Sequence, residues 1–225
     1  MLAIFLKTMP FFGVIALGYW AGRTRFFSED ATAYLTKFVF YFALSAMLFQ
    51  FAATLSLADI LTARFVIAYL CASGSVYLIA TAVAFLRGRP MVEAAVEAQC
   101  AVIGNVGFLG VPMLVLLMGE AAAGPVLMML SIDLIVFSSL ITIVMTLSRQ
   151  GRMSGRMLGQ VWLGLLKNPM IVSIALGLVW QAWKLPVPAP ANEFLVLLGA
   201  AATPGALFAI GASLASKSAE RVAMA

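Results

Sequence analysis

The chain contains no histidine, and only two of its 225 residues are cysteine. Without an imidazole there is no Ser/His relay and no His-ligated metal site. Cys71 and Cys100 are too few for a disulfide framework; each lies in or beside an apolar run and reads as a small buried apolar residue. Charge is scarce as well. Only 10% of residues are charged against 64% hydrophobic, and mean hydropathy is +1.06. Such a composition excludes a soluble globule, and no segment is polar enough to make a soluble domain. No metal, nucleotide or other cofactor is implied.

What the sequence has in abundance is apolar runs. Residues 38–58, 65–86, 98–119 and 194–216 are free of charge, and each meets the roughly 20-residue length that crosses a bilayer. Three further spans are less clean. Residues 4–21 carry Lys7, residues 121–147 contain Asp133, and residues 169–183 are short unless 161–166 extend them. The expectation is an all-α polytopic membrane protein with seven transmembrane helices. Residues 4–21 run directly into Gly22-Arg23-Thr24-Arg25 with no small-residue cleavage site, so they read as a first span and not as a cleaved signal peptide. Ser28 before Glu29 and Asp30 is an N-cap for the second span. Pro125 opens the fifth, where its missing N–H costs nothing. Pro186, Pro188 and Pro190 make residues 184–192 an extended connection.

The 14 basic residues fall unevenly. Lys7, Arg64 and Lys184 lie on one side of this topology, and the other 11 lie on the opposite side. Cytoplasmic loops carry the excess of Lys and Arg, so the N-terminus is expected outside and the C-terminus inside. The net charge of +5 then reflects topology and inner-leaflet lipid, and no nucleic-acid partner is needed. Residues 151–159 with Trp162 are expected to lie along the cytoplasmic surface.

The most informative stretch is residues 104–112, where Gly104, Asn105, Gly107, Gly110 and Pro112 interrupt an apolar run. In hydrocarbon, irregular backbone persists only where protein buries it or a cavity satisfies it, and such breaks mark binding sites in transporters. Unwinding around Gly107 and Gly110 would expose half-helix N–H groups that attract a carboxylate. Asn105 offers both an amide donor and an acceptor. Pro112 removes a donor and biases Val111 away from helical geometry. The bland reading is a proline kink packed by small residues. Asp133 is the one acidic residue deep inside a span, where an ionisable group costs at least ~2.5 kcal/mol. It is expected either to take up a proton or hold a water during transport, or to be a neutral carboxyl bonded to a neighbouring helix. Ser45 and Ser131 are placed to bond within their own helices. Gly18-x-x-x-Gly22 would let another helix approach closely.

The chain also repeats itself at an offset of 159. Residues 10–18 align with 169–177, sharing Pro, Ile, Ala, Leu and Gly, and residues 43–49 align with 202–208 without a gap. Five spans separate the copies, so the second enters from the opposite face, as in inverted-repeat transporters. The domains read as a complete first five-helix repeat over 1–148 with a broken span four, a cytoplasmic interfacial linker over 149–168, and a partial second repeat of two helices over 169–225. A whole second repeat would end near residue 307, about 159 positions past residue 148, so the chain reads as C-terminally truncated.

These residues resemble the auxin efflux carrier family of bacterial permeases, relatives of the plant PIN carriers. The resemblance runs through the opening at residues 10–22, residues 38–49, the break at 104–112, Lys167-Asn168-Pro169 and residues 203–214. It implies an inner-membrane, multi-pass secondary transporter of small organic anions such as malonate- or malate-like carboxylates. Spans one, two, six and seven would form a scaffold, often a homodimer, against which the other spans move in alternating access. Substrate would be held at the crossing of broken spans. Where the family often has proline, this chain has Ser45, so the bend in span two is weaker; Pro204 keeps the bend in span seven. A non-transporting scaffold or an inactive truncated carrier is the alternative. A retinal protein is excluded because span seven has no lysine, and an enzyme is not expected. Reporter fusions test the topology. Green fluorescent protein is expected to fluoresce and alkaline phosphatase to be inactive when fused after Arg89, with the reverse after Lys184.

Overall fold

A computed structural model describes residues 2–54, 63–150 and 155–223, and these form helices joined by short connections. Helix α1 (Leu2–Arg23) ends in a turn where Arg25 adopts a left-handed φ of 58°. The Phe27 N–H closes that turn onto the Ala21 carbonyl at 3.1 Å. Ser28 then caps α2 (Glu29–Phe38), its hydroxyl accepting the Ala31 N–H at 3.1 Å, with Glu29 and Asp30 in the positive first turn. A π-helical turn, Val39–Ala43, links α2 to α3 (Leu44–Thr54) without breaking the rod.

The rest follows in chain order. Helices α4 (Ala63–Leu86) and α5 (Met91–Val102) precede a break, a π turn at Val106–Gly110 and α6 (Val111–Met118). Helix α7 (Ala123–Ile132) passes through a third π turn, Asp133–Phe137, into α8 (Ser138–Gln150). Then come α9 (Gly155–Lys167), α10 (Pro169–Ala182), α11 (Ala189–Ala200) and α12 (Ala202–Ala223).

Among the described residues four stretches are long and apolar enough to cross a membrane: Glu29–Thr54, Ala63–Leu86, Ala123–Ser148 and Ala189–Ser216. The α9–α10 pair makes a fifth if a bend of 74° is allowed. That bend settles one point of the sequence reading. Residues 161–166 do not lengthen α10 in line, because Asn168 turns the chain and caps α10, accepting the Met170 N–H at 3.0 Å. Alone, the 14 residues of α10 rise about 21 Å, less than the ~30 Å hydrocarbon thickness. Two more expectations are corrected. The connection at 184–192 is only partly extended, since Pro190 already sits in the first turn of α11, where proline is tolerated. Cys71 and Cys100 are exposed free thiols on outward helix faces. Residues 55–58 of the expected second span and 151–154 of the expected linker lie outside the described residues.

Two helix crossings organise the packing: α1 lies against α12, and α3 lies against α10. Both depend on glycine. A Cβ at Gly18 would collide with the Phe208 carbonyl, and one at Gly211 with the Ile15 carbonyl. A Cβ at Gly177 would lie 2.7 Å from the Phe49 carbonyl and 2.6 Å from the Ala52 Cβ. Gly18 and Gly177 are 159 positions apart, as are Phe49 and Phe208, so the two crossings use residues at one common offset. Gly22 also faces α12, 2.9 Å from the Ala212 carbonyl by the same measure; the small-residue pair of α1 is a packing face. The core lies beside these crossings, where Leu44 and Leu48 of α3 meet Val111 of α6, Val126, Leu127 and Leu130 of α7, and Met170 and Ile174 of α10.

Gly18→Ala and Gly177→Ala are expected to destabilise the protein by about 1–3 kcal/mol each, because backbone atoms block the new methyl. Gly74→Ala, with nothing near the new carbon, should be neutral or slightly stabilising. Thermal unfolding in detergent measures all three.

Candidate functional site

Helix α5 ends where Ile103 leaves helical geometry at φ −86° and ψ 113°. Gly104 and Asn105 follow outside any helix, and the chain rewinds from Val106. Asn105 begins the rewound segment: its carbonyl accepts the Leu109 N–H at 3.1 Å and the Gly110 N–H at 2.9 Å. It occupies a helix start, a position asparagine favours. The first-turn N–H groups that follow have no acceptor within the helix, so the break points its donors at residues 103–105.

The break is present, and its non-helical residues stand at the start of the stretch 104–112 rather than around Gly107 and Gly110. Gly107 and Gly110 lie inside the π turn and are not the unwound residues. Gly107 is buried, and a Cβ there would come to ordinary contact distance of Leu130, Leu44 and Met170 side chains. Gly110 is helical at φ −62° and ψ −53°, and Val111 is the first residue of α6. Pro112 therefore does not hold Val111 out of the helix. It stands at the start of α6, where a missing N–H is tolerated; its side chain lies outside the described residues. Gly104 and Asn105 are exposed.

Asp133 opens the π turn between α7 and α8 and is only 4% exposed. The Tyr69 hydroxyl of α4 donates to its Oδ1 at 2.8 Å, while Oδ2 is buried without a protein partner. The Ser138 hydroxyl donates to the Asp133 backbone carbonyl at 3.2 Å. In a π turn the ladder slips from the i−4 to the i−5 carbonyl, and a serine five residues on adds a second donor to the slipped carbonyl. Ser45, just after the first π turn, likewise donates five residues back, to the Phe40 carbonyl at 3.1 Å. The weak bend expected at Ser45 is thus a bulge within a continuous helix. Pro204 lies in the first turn of α12, four residues after Ala200, at the place where α11 gives way to α12. It has no N–H to return to that carbonyl.

The break and Asp133 share one neighbourhood. Val102 and Ile103, at the break, pack on the same cluster as Ile132 and Phe137, which flank Asp133, and Tyr77 is in it too. The Tyr77 hydroxyl and Gln99 Oε1 are also buried without protein partners. Tyr69, Tyr77 and Gln99 were not singled out as site residues from sequence. The available signal was the placement of two tyrosines eight residues apart on an apolar span, but only packing showed which helix face met Asp133. A separate cavity of about 250 Å³, lined by Ala52, Leu127, Met128, Ile135 and Ile174, has Ser131 as its only hydroxyl. That hydroxyl is bonded to the Leu127 carbonyl at 2.8 Å, so the cavity offers an anion nothing. Among the described residues no cluster could hold a metal ion.

Tyr69→Phe leaves both Asp133 oxygens unpaired. A double-mutant cycle with Asp133→Asn should give a coupling of about 0.5–2 kcal/mol in detergent melting, the scale of interhelical hydrogen bonds in membranes.

Comparison with known proteins agrees with this architecture. The profile of the family described as "Membrane transport protein" matches residues 3–155 and again 145–225. A protein of Rhizobium meliloti (strain 1021) named "Putative malonate transporter" is 27% identical over 219 residues, covering 95% of this chain and 68% of that protein. A family match in two successive segments that together reach almost every residue leaves no other assignment: the chain belongs to the membrane transport protein family, the auxin efflux carriers.

Proposed function

We propose that this chain acts in secondary transport of small organic anions, with malonate-like dicarboxylates as the first class to test. The observation that carries the reading is the break at 103–105, where a helix restarts beside the packed cluster whose Ile132 and Phe137 flank a buried carboxyl. Helix starts favour anions through their unsatisfied donors and positive dipole end. Asn105 and the backbone after it would bind a carboxylate, with Gly104 giving access, Gly107 and Gly110 lying in the π turn behind it, and Pro112 starting the second half-helix. Asp133, held by Tyr69, would accept a proton at Oδ2 or hold a water there, tying transport to protonation. The name of the Rhizobium relative supports trying malonate before other anions.

Seven spans complete the reading: the four long stretches, α1, the interrupted α5–α6 unit and α10. Two features support an inverted repeat. The glycine crossings at one common offset are one. The other is that residues 39–43, the first π turn, fall at 198–202 when moved by 159, and the α11–α12 interruption lies there. Spans one to five over 1–148 would form the first repeat, 149–168 a cytoplasmic linker and 169–225 the two helices of the second. In that reading α1, α2–α3, α10 and α11–α12 are a scaffold, able to pair as a homodimer in a bacterial inner membrane, and α4 to α8 move against it.

Proteoliposomes containing the purified chain should accumulate radiolabelled malonate above protein-free vesicles. Asn105→Ala is expected to lower uptake at least about tenfold, in line with loss of a charge-assisted contact of 1.5–3 kcal/mol. Asp133→Asn should flatten the pH dependence of uptake. No accumulation of any small carboxylate would favour a non-transporting scaffold, and an unchanged pH profile would end the proton role of Asp133.

A further inference from the structure

A second polar site lies away from the break, at the loop joining α1 to α2. A cavity of about 430 Å³ opens there between that loop and α12, and Arg23, Arg25, Ser28, Glu29, Thr32 and Ser216 line it. Two guanidinium groups face one carboxylate, so the cavity is net basic. Among the described residues the ion pairs are Arg87–Glu97, Arg89–Glu93 and Arg89–Glu97. Arg23 and Arg25 are in none of them, although Glu29 lines the same space. The contrast matters because the α4–α5 loop, with the same number of arginines, neutralises them within the chain.

Arg25 is placed at a cost. It sits just past the end of α1 with a left-handed φ of 58°, where glycine is the usual residue. The turn is closed by Arg25 N–H to the Gly22 carbonyl and Phe27 N–H to the Ala21 carbonyl, both at 3.1 Å, so it is well formed and does not need a guanidinium. The exposed aromatic residues on either side of this turn fit a place at the membrane interface. Trp20 is 60% exposed and Phe26 82% exposed, as aromatic side chains are at the level where acyl chains meet headgroups. Phe27 turns inward instead, its ring edge-on to Phe208 at 5.1 Å, which fixes the loop on α12.

We propose that this cavity binds the phosphate of an anionic phospholipid, with Arg23 and Arg25 pairing its oxygens and the Ser28 hydroxyl, which accepts the Ala31 N–H and keeps its own hydrogen, adding a donor. Guanidinium forks match phosphate geometry, and basic pockets between transmembrane helices recognise lipid headgroups. Phe27, Ala212 and Ala215 in the lining beside the arginines and hydroxyls, with Trp20 and Phe26 exposed next in sequence, suit a headgroup entering from the bilayer more than an ion entering from water. The site is separate from the break at 103–105, and it stands whether or not the chain carries malonate.

Native mass spectrometry of the full chain, reconstituted with mixed phosphatidylglycerol and phosphatidylcholine, tests it. Wild-type protein is expected to retain phosphatidylglycerol preferentially, and the Arg23→Gln, Arg25→Gly pair to lose at least about tenfold of that retention. Arg25→Gly relieves the left-handed turn, so its melting temperature should hold or rise, which separates loss of binding from loss of fold. Arg87→Gln, Arg89→Gln removes the same charge elsewhere and should retain the lipid. Inorganic phosphate is the second arm. Arginine-dependent thermal stabilisation by free phosphate without lipid preference would keep the phosphate chemistry and assign a soluble source. Equal retention by the Arg23/Arg25 variant, or equal loss in the Arg87/Arg89 control, would overturn the proposal.

Discussion

Every backbone N–H and C=O inside hydrocarbon must find a partner within the protein, and the rest of this structure is arranged around that demand. It explains why the described chain is helix through its apolar runs except at the break at 103–105. It also explains the form of the irregularities. Two of the three π turns shift the ladder by one residue, and in each a serine hydroxyl bonds a carbonyl five residues back, Ser45 on Phe40 and Ser138 on Asp133. The third follows a true break, and there the Asn105 carbonyl takes two N–H groups.

The same demand makes close helix packing valuable, because lipid tails are as apolar as leucine and helices associate through contact and not through exclusion of water. Gly18 and Gly177 bring α1 onto α12 and α10 onto α3 until backbone carbonyls lie where a side chain would begin. The break and Asp133 both pack beside the core that these crossings border, with Leu44, Leu130 and Met170 around Gly107. The close crossings thus stand next to a helix break and a buried carboxyl.

Much of the fold was legible beforehand. Run lengths gave the helices, Ser28 gave a cap, and the offset of 159 pointed to the residues that the two crossings use. The errors have physical causes. The break was assigned to Gly107 and Gly110 because glycine favours irregular backbone, yet a π turn accommodates both while Ile103, with no special propensity, takes the extended conformation. Cys71 and Cys100 were read as buried because small apolar residues usually are in water; in a membrane protein the outward face is apolar too, so hydropathy does not tell inside from outside.

The sequence by itself determined that this is a membrane protein, where its helices run, that one apolar run is interrupted and that a carboxyl lies at membrane depth. Those properties follow from local composition and from the lack of water around the backbone. Only the tertiary structure decided that Tyr69 is the group bonded to Asp133, that Asn105 starts the rewound helix, and that Arg23 and Arg25 share a cavity with Ser216. Each joins residues on different segments, or depends on a one-residue shift in a hydrogen-bond ladder, and neither is encoded in spacing along the chain.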